Sequence, residues 1–228
     1  MKVDFSKVEL YLVTDAGLSL GRSDLEVVEA AVAGGVDLVQ YRDKRATARQ
    51  YYERGQALLA LCRRLGVPLL FNDHADIAAL LGADGIHLGQ DDLLVQEARQ
   101  LLGPEATLGV STHDEEEACA AIAGGADYIN IGPVYPTQTK DLPLAKVGIG
   151  LELVTRVVRM SPVPVTTMGG IGLANAAQVI TAGADRVAVV TALTKAPDIA
   201  QAARDLKALV QRAKFERTET TGLQGSRV

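Results

Sequence analysis

The chain has 228 residues, 48% of them hydrophobic and 22% charged, with a formal net charge of −5. That make-up suits one large globular core, and single α/β barrels reach this length. Aromatic residues are only 4%, Trp is absent and no long basic run occurs, which argues against a base-stacking surface and a nucleic-acid partner.

Strand-like runs follow one another at 9–13, 38–41, 68–71, 85–88, 107–110, 128–131, 163–166 and 186–190. Segments with apolar residues every three to four positions lie between and after them, at 25–33, 48–65, 76–81, 95–102, 115–123, 151–160, 174–182 and 199–213. That spacing marks amphipathic helices. Four helix-to-strand junctions repeat a pattern: Ala33-Gly34-Gly35-Val36-Asp37, Leu81-Gly82-Ala83-Asp84, Ala123-Gly124-Gly125-Ala126-Asp127 and Ala182-Gly183-Ala184-Asp185. Each puts Gly where a helix closes in a left-handed conformation. Eight βα units with no linker predict an α/β fold, a single-domain (β/α)8 TIM barrel over residues 1–214, with a doubly wound open sheet as the alternative. Residues 215–228, mostly polar with two Gly, are expected to form a disordered tail.

No run of about 18 apolar residues occurs and the first ten residues lack a signal core, so neither a membrane span nor secretion is expected. Cys62 and Cys119 fall in predicted helices and are read as small core residues. A cytoplasmic location fits these features, and the oligomeric state is left open.

In a barrel, function sits on the loops after the strands. The second strand ends in Gln40-Tyr41-Arg42-Asp43-Lys44-Arg45, whose three cations suit an anion or a solvated loop. Asn72-Asp73-His74 follows the third strand, and His87-Leu88-Gly89-Gln90-Asp91-Asp92 closes the fourth. Asp73 with Asp91 or Asp92 could share Mg²⁺, which takes one or two carboxylates and fills its shell with water and phosphate oxygens. Alternatively Asp73 caps a helix from Ala75, and Asp91 or Asp92 one from Leu94. Ser111-Thr112-His113-Asp114 offers a cap and, in Ser111, an oxyanion partner.

The loop after the sixth strand, Gly132-Pro133-Val134-Tyr135-Pro136-Thr137-Gln138-Thr139-Lys140, gathers two hydroxyls and an ammonium on a backbone shaped by Pro and Gly. These groups suit phosphate or pyrophosphate oxygens, with Lys a mobile point charge. An ordinary turn with a solvated Lys is the other reading. Met168-Gly169-Gly170-Ile171 and Val190-Thr191 stand where such barrels bind phosphate through backbone N–H groups. His74, His87 and His113 are the only histidines, and no pair has zinc-ligand spacing. His87, between Ile86 and Leu88, is read as a satisfied core residue.

Taken in order, Gln40-Tyr41-Arg42-Asp43-Lys44, Asn72-Asp73, His87 to Asp92, Gly109-Val110-Ser111, Gly132 to Lys140 and Gly169-Gly170-Ile171 resemble the thiamine phosphate synthase family. The resemblance covers about residues 9–210. It implies a TIM barrel that joins 4-amino-5-hydroxymethyl-2-methylpyrimidine diphosphate to a thiazole phosphate, or its carboxylate, giving thiamine phosphate and pyrophosphate. It implies Mg²⁺ on Asp73 and Asp92. Arg42, Lys44, Asn72 and Lys140 would grip the pyrophosphate with Ser111 nearby, and Arg42, Lys44, Ser111 and Lys140 would carry the catalysis. Gln40 would face the pyrimidine. Thr137 and Thr139 would bind the thiazole, while Gly170, Val190 and Thr191 would take its phosphate. Thr191 stands where the family often has Ser, and Thr167-Met168 where smaller or branched apolar residues are usual. Both departures bear on fine substrate preference. Small-molecule substrates are the partners implied, with no nucleic acid or membrane and with a homo-oligomer left open.

The rivals are a thiazole tautomerase, which needs a proton-transfer group such as His and no metal-pyrophosphate set, and a non-catalytic sensor of a phosphate ligand. A barrel enzyme of tryptophan synthesis is a third, disfavoured by the Thr-x-Thr-Lys loop and the Gln-x-Asp segment.

Overall fold

Short apolar and β-branched runs form eight parallel strands: β1 Leu10–Val13, β2 Leu38–Tyr41, β3 Leu69–Asn72, β4 Gly85–Leu88, β5 Thr107–Thr112, β6 Tyr128–Ile131, β7 Val165–Met168 and β8 Val187–Val189. In a computed structural model they close into a barrel in chain order, and Leu12 pairs with Val189 where β1 meets β8. The structure describes residues 2–137 and 147–225. The helices are α1 Asp24–Ala33, α2 Ala48–Leu65, α3 Ala75–Leu81, α4 Val95–Leu102, α5 Glu115–Ala123, α6 Gly150–Met160, α7 Ala176–Thr181, α8 Thr191–Thr194 and α9 Ile199–Gly225. The expected single-domain TIM barrel is therefore the fold.

Alternation along each strand divides the core in two. Leu10, Leu12, Val39, Phe71, Ile86 and Ile129 face outward into the apolar layer under the helices. Tyr11, Val13, Leu38, Leu70, Tyr128 and Ala188 fill the barrel interior with Phe5, which lies on the N-terminal segment. Arg186 holds that segment in place by donating to the Phe5 carbonyl at 2.9 and 2.7 Å.

The repeated junctions also have a physical role. Gly35, Gly82, Gly125 and Gly183 adopt positive φ. The Asp that ends three of these junctions latches a neighbouring strand: Asp37 accepts from the N–H groups of Glu9 and Leu10, Asp84 from Leu69 and Asp127 from Leu108. Each latch satisfies a strand-start donor and fixes the stagger of a pair.

Four details differ from the sequence reading. The seventh strand begins at Val165, because Pro164 has no N–H to give a ladder. The short α8 begins at Thr191 directly after β8. Cys62 is buried but Cys119 is exposed on α5. Finally, α9 runs past the expected boundary at 214 to Gly225. Arg217 ties its end to the barrel through Asp185 and the carbonyls of Ile180, at 2.8 Å, and Ala184, at 2.9 Å.

Candidate active site

The C-terminal ends of the strands open into a cavity of about 480 Å³. Gln40, Arg42, Asn72, Ser111, Thr137, Gly170, Val190 and Thr191 all line it, so residues from most of the expected loops meet in one space. The register explains part of this: Val13 pairs with Gln40, Asn72 with His87 and Ser111 with Asn130, which sets these side chains at one level around the ring.

Arg42 is drawn in by two partners. Its N–H donates to Thr14 Oγ1 at 3.0 Å, and its guanidinium meets Asp15 Oδ2 at 2.6 Å. Asp15 thus orients the cation, a role the sequence reading did not assign. The three cations after β2 do not act as one cluster. Lys44 pairs with Asp73 and keeps 58% of its side chain exposed, while the Arg45 guanidinium lies against Gly17. Arg54 engages Asp43 at 2.7 Å. On the facing side, Tyr51 OH accepts from the Asn72 N–H at 3.1 Å and lies 2.9 Å from the Tyr41 carbonyl, joining the ends of β2 and β3.

Lys44, Asp73 and Asp92 stand beside the cavity lining. Neither carboxylate is a helix cap: the cap of α3 is His74 and that of α4 is Leu94. Asp73 adopts φ +62°, a left-handed conformation that Asp tolerates better than most side chains. Its carboxyl hydrogen-bonds Asp92, and Gly89 N–H donates to Asp92 Oδ2 at 2.6 Å. Burial and the neighbouring Asp73 push the Asp92 carboxyl above the usual carboxylate range. Burial acts the same way on Asp73, but Lys44, Asp92 and Arg42 outweigh it and bring that carboxyl below the usual range.

At the other end of the cavity the loop after β6 packs on the double glycine after β7. A Cβ on Gly169 would lie 2.4 Å from Pro133 Cβ, and one on Gly170 2.7 Å from the Pro136 carbonyl. Both glycines have positive φ, +102° and +65°, so neither position accepts a larger residue without moving the loop. Thr139 and Lys140 lie outside the described residues.

Other lining residues were given no binding role in the sequence, Met168 being noted only beside the double glycine and for substrate preference. His87, buried and hydrogen-bonded as expected of a core residue, also faces the cavity, as do His113, Asn130, Met168 and Lys195. His113 Nδ1 meets Glu117 at 2.7 Å, and Asp114 rather than Ser111 caps α5. Asn130 was legible from alternation in β6, and Lys195 was hidden behind the short α8.

This arrangement presents the Arg42 guanidinium at one end of the cavity and glycine backbone at the other. The comparisons agree. The model of thiamine monophosphate synthase matches residues 10–193. The chain belongs to the thiamine monophosphate synthase family. A thiamine-phosphate synthase of Chloroflexus aurantiacus is 50% identical over 201 residues, covering 88% of this chain and 92% of its own. One of Haloquadratum walsbyi is 46% identical, covering 92% and 95%. The solved thiamine phosphate pyrophosphorylase of Pyrococcus furiosus superposes with a TM-score of 0.82 at 35% identity, over 91% of this chain and 97% of its own. Met168 and Thr191, the positions expected from the sequence to bear on fine substrate preference, both line the cavity.

Proposed function

We propose that the chain is a thiamine phosphate synthase, a transferase of thiamine biosynthesis that joins the pyrimidine diphosphate to the thiazole phosphate with loss of pyrophosphate. The observation that carries this reading is the two-ended cavity. Gln40, Arg42, Asn72 and Ser111 converge at one end and Gly170, Val190 and Thr191 at the other.

At the first end Gln40 faces the pyrimidine. Arg42, held by Asp15, and Lys44 take the pyrophosphate oxygens, with Asn72 and Ser111 as neutral donors. Lys140 adds a third cation and, with Arg42, Lys44 and Ser111, stabilises charge as it builds on the leaving group. At the second end Thr137 and Thr139 orient the thiazole, and the backbone around Gly170, Val190 and Thr191 receives its phosphate. The C–O bond to pyrophosphate breaks first. The electron pair leaves with the pyrophosphate, and the resulting pyrimidine methylene cation is captured by the thiazole nitrogen. The protein supplies position and charge rather than a nucleophile.

The donor set beside the cavity fits a hard divalent cation. Asp73 and Asp92 bring two carboxyls within hydrogen-bonding reach of each other, and no third His, Cys, Asp or Glu joins them among the described residues. Mg²⁺ favours such an open site, keeping positions for water and phosphate oxygens. When bound, Mg²⁺ would neutralise pyrophosphate charge.

A second reading, an isomerase of the thiazole phosphate, is favoured by His113, whose ring lines the cavity and is held by Glu117. The two are separated by incubating the protein with pyrimidine diphosphate, thiazole phosphate and Mg²⁺ and omitting each in turn. Pyrophosphate release that needs all three, with thiamine phosphate as product, supports the synthase. Isomerised thiazole without pyrophosphate would replace it.

A further inference from the structure

We infer that a buried relay of side chains sets the hydrogen-bond polarity of this cavity, with Tyr11, Tyr128 and His87 as positioning residues that act through Gln40 and Ser111. The inference rests on the synthase reading of the site. Four contacts join five strands. Gln40 Nε2 donates to Tyr11 OH at 2.6 Å. Tyr11 OH meets Tyr128 OH at 3.1 Å. Tyr128 OH meets His87 Nδ1 at 2.7 Å, and His87 Nε2 meets Ser111 Oγ at 2.8 Å. All five residues are buried.

The relay is built into the barrel. A Cβ on Gly109 would lie 2.1 Å from the Tyr128 ring carbon Cζ and 2.5 Å from its hydroxyl. A side chain there would displace the phenol from the line. The Phe5 ring packs on Tyr128 from below, with centroids 4.7 Å apart.

Proton counting gives the relay a direction. Burial raises both phenols well above their ordinary range, so each keeps its one proton. A neutral imidazole likewise has one N–H. With Gln40 donating to Tyr11, the sense that pairs every phenol proton along the line has Tyr11 donate to Tyr128 and Tyr128 to His87 Nδ1. The His87 proton is then on Nε2, donating to Ser111. Ser111 Oγ is then fixed as an acceptor toward His87, and Gln40 keeps its carbonyl oxygen as an acceptor. That polarity suits a pyrimidine diphosphate, whose exocyclic amine donates to the Gln40 carbonyl. The reverse sense would turn the Gln40 amide nitrogen, a donor, toward that amine. Bonds that share one sense also strengthen one another.

The test uses the full-length protein labelled with ¹⁵N in its three histidines, assigned by single substitutions. The expected result is the Nε2–H tautomer at His87, and the Nδ1–H tautomer would overturn the relay. Tyr11→Phe keeps the ring and cuts the line. It should lower kcat/KM for the pyrimidine diphosphate about tenfold, the cost of one misdirected hydrogen bond. KM for the thiazole phosphate should hold within about twofold, and the His87 signals should move toward a mixture of tautomers. Tyr128→Phe, which cuts the line one step nearer His87, should do the same. Losses shared equally between the substrates, or an unmoved His87, would make the phenols packing residues and overturn the inference. Wild-type protein that releases no pyrophosphate would instead overturn the synthase reading, while the tautomer still decides the relay.

Discussion

Asp73 and Asp92 show how two identical side chains are set apart by their neighbours. Lys44 and Arg42 outweigh burial at Asp73, whereas burial and the charge of Asp73 raise Asp92. A proton on Asp92 therefore competes with any cation held between the two. Mg²⁺ affinity should weaken as pH falls through the raised Asp92 range, and binding there should release a proton. Calorimetry in buffers of different ionisation enthalpy measures that proton directly. Asp92→Asn should abolish the release and weaken binding about tenfold or more. Binding that is indifferent to pH and to this substitution would remove Mg²⁺ from the pair. At this scale the sequence was informative where a side chain stands at or just past the C-terminal end of a strand and carries its own chemistry, as Gln40, Arg42, Asn72 and Ser111 do. It was silent on partnership. Nothing in the order of residues says that Asp15 would seize Arg42, or that Lys44 would spend its charge on Asp73, because those pairs arise only when loops 27 and 29 residues apart are brought together.

Among the elements, α1 carries a cost that can be relieved. Its start is well made: Ser23 and Glu26 form a reciprocal capping box. The next residue, Asp24, is buried, and its Oδ1 has no hydrogen-bond partner among the described residues. Burial, helped by the charge of Asp43, pushes its carboxyl up to about 6. The folded chain therefore holds a proton that the unfolded chain has already lost, so stability falls as pH rises from about 4 to about 6. The deficit is complete above that window. A shift of about two pH units is worth on the order of 3 kcal/mol, and the α1 N-terminus offsets up to about 1 kcal/mol by favouring the anion. Asp24→Asn should then stabilise the protein by roughly 1–2 kcal/mol at neutral pH and by nothing below about pH 4. Urea unfolding on both sides of the window decides it, and equal effects at both would show that charge is not the cause. The helices were the legible elements, since α2, α4 and α5 begin and end where the apolar period does. The strands were less sharply bounded. β5 runs on to Thr112 because its polar end is paired with β6, Thr112 opposite Ile131, and a short α8 gives too few residues for any period to appear.

At the scale of the whole molecule the barrel must close, and α9 does much of that work. It packs against α1 and α7, on either side of the β1–β8 seam. Lys207 reaches Asp37 at 2.5 Å and Lys214 reaches Glu9 at 2.9 Å, both near the N-terminal ends of the strands. The eightfold βα order made closure readable in advance, but the length of α9 was not. Polar residues after 214 read as a tail because their anchor, Arg217, binds carbonyls in a segment more than 30 residues earlier. These contacts lie before β8, at the barrel end away from the cavity, where a barrel keeps stability separate from function. Arg217→Ala should therefore cost about 1–3 kcal/mol, read as a Tm lowered by roughly 2–12 °C. Both KM values and kcat for pyrophosphate release should stay within about twofold. A chain ended after residue 214 should lose at least as much stability, because it removes the same anchor along with the last turns of α9. If the substitution instead left Tm unchanged and altered a KM, the end of α9 would have to be coupled to the loops across the barrel, and the division between a stabilising base and a chemical rim would fail for this chain.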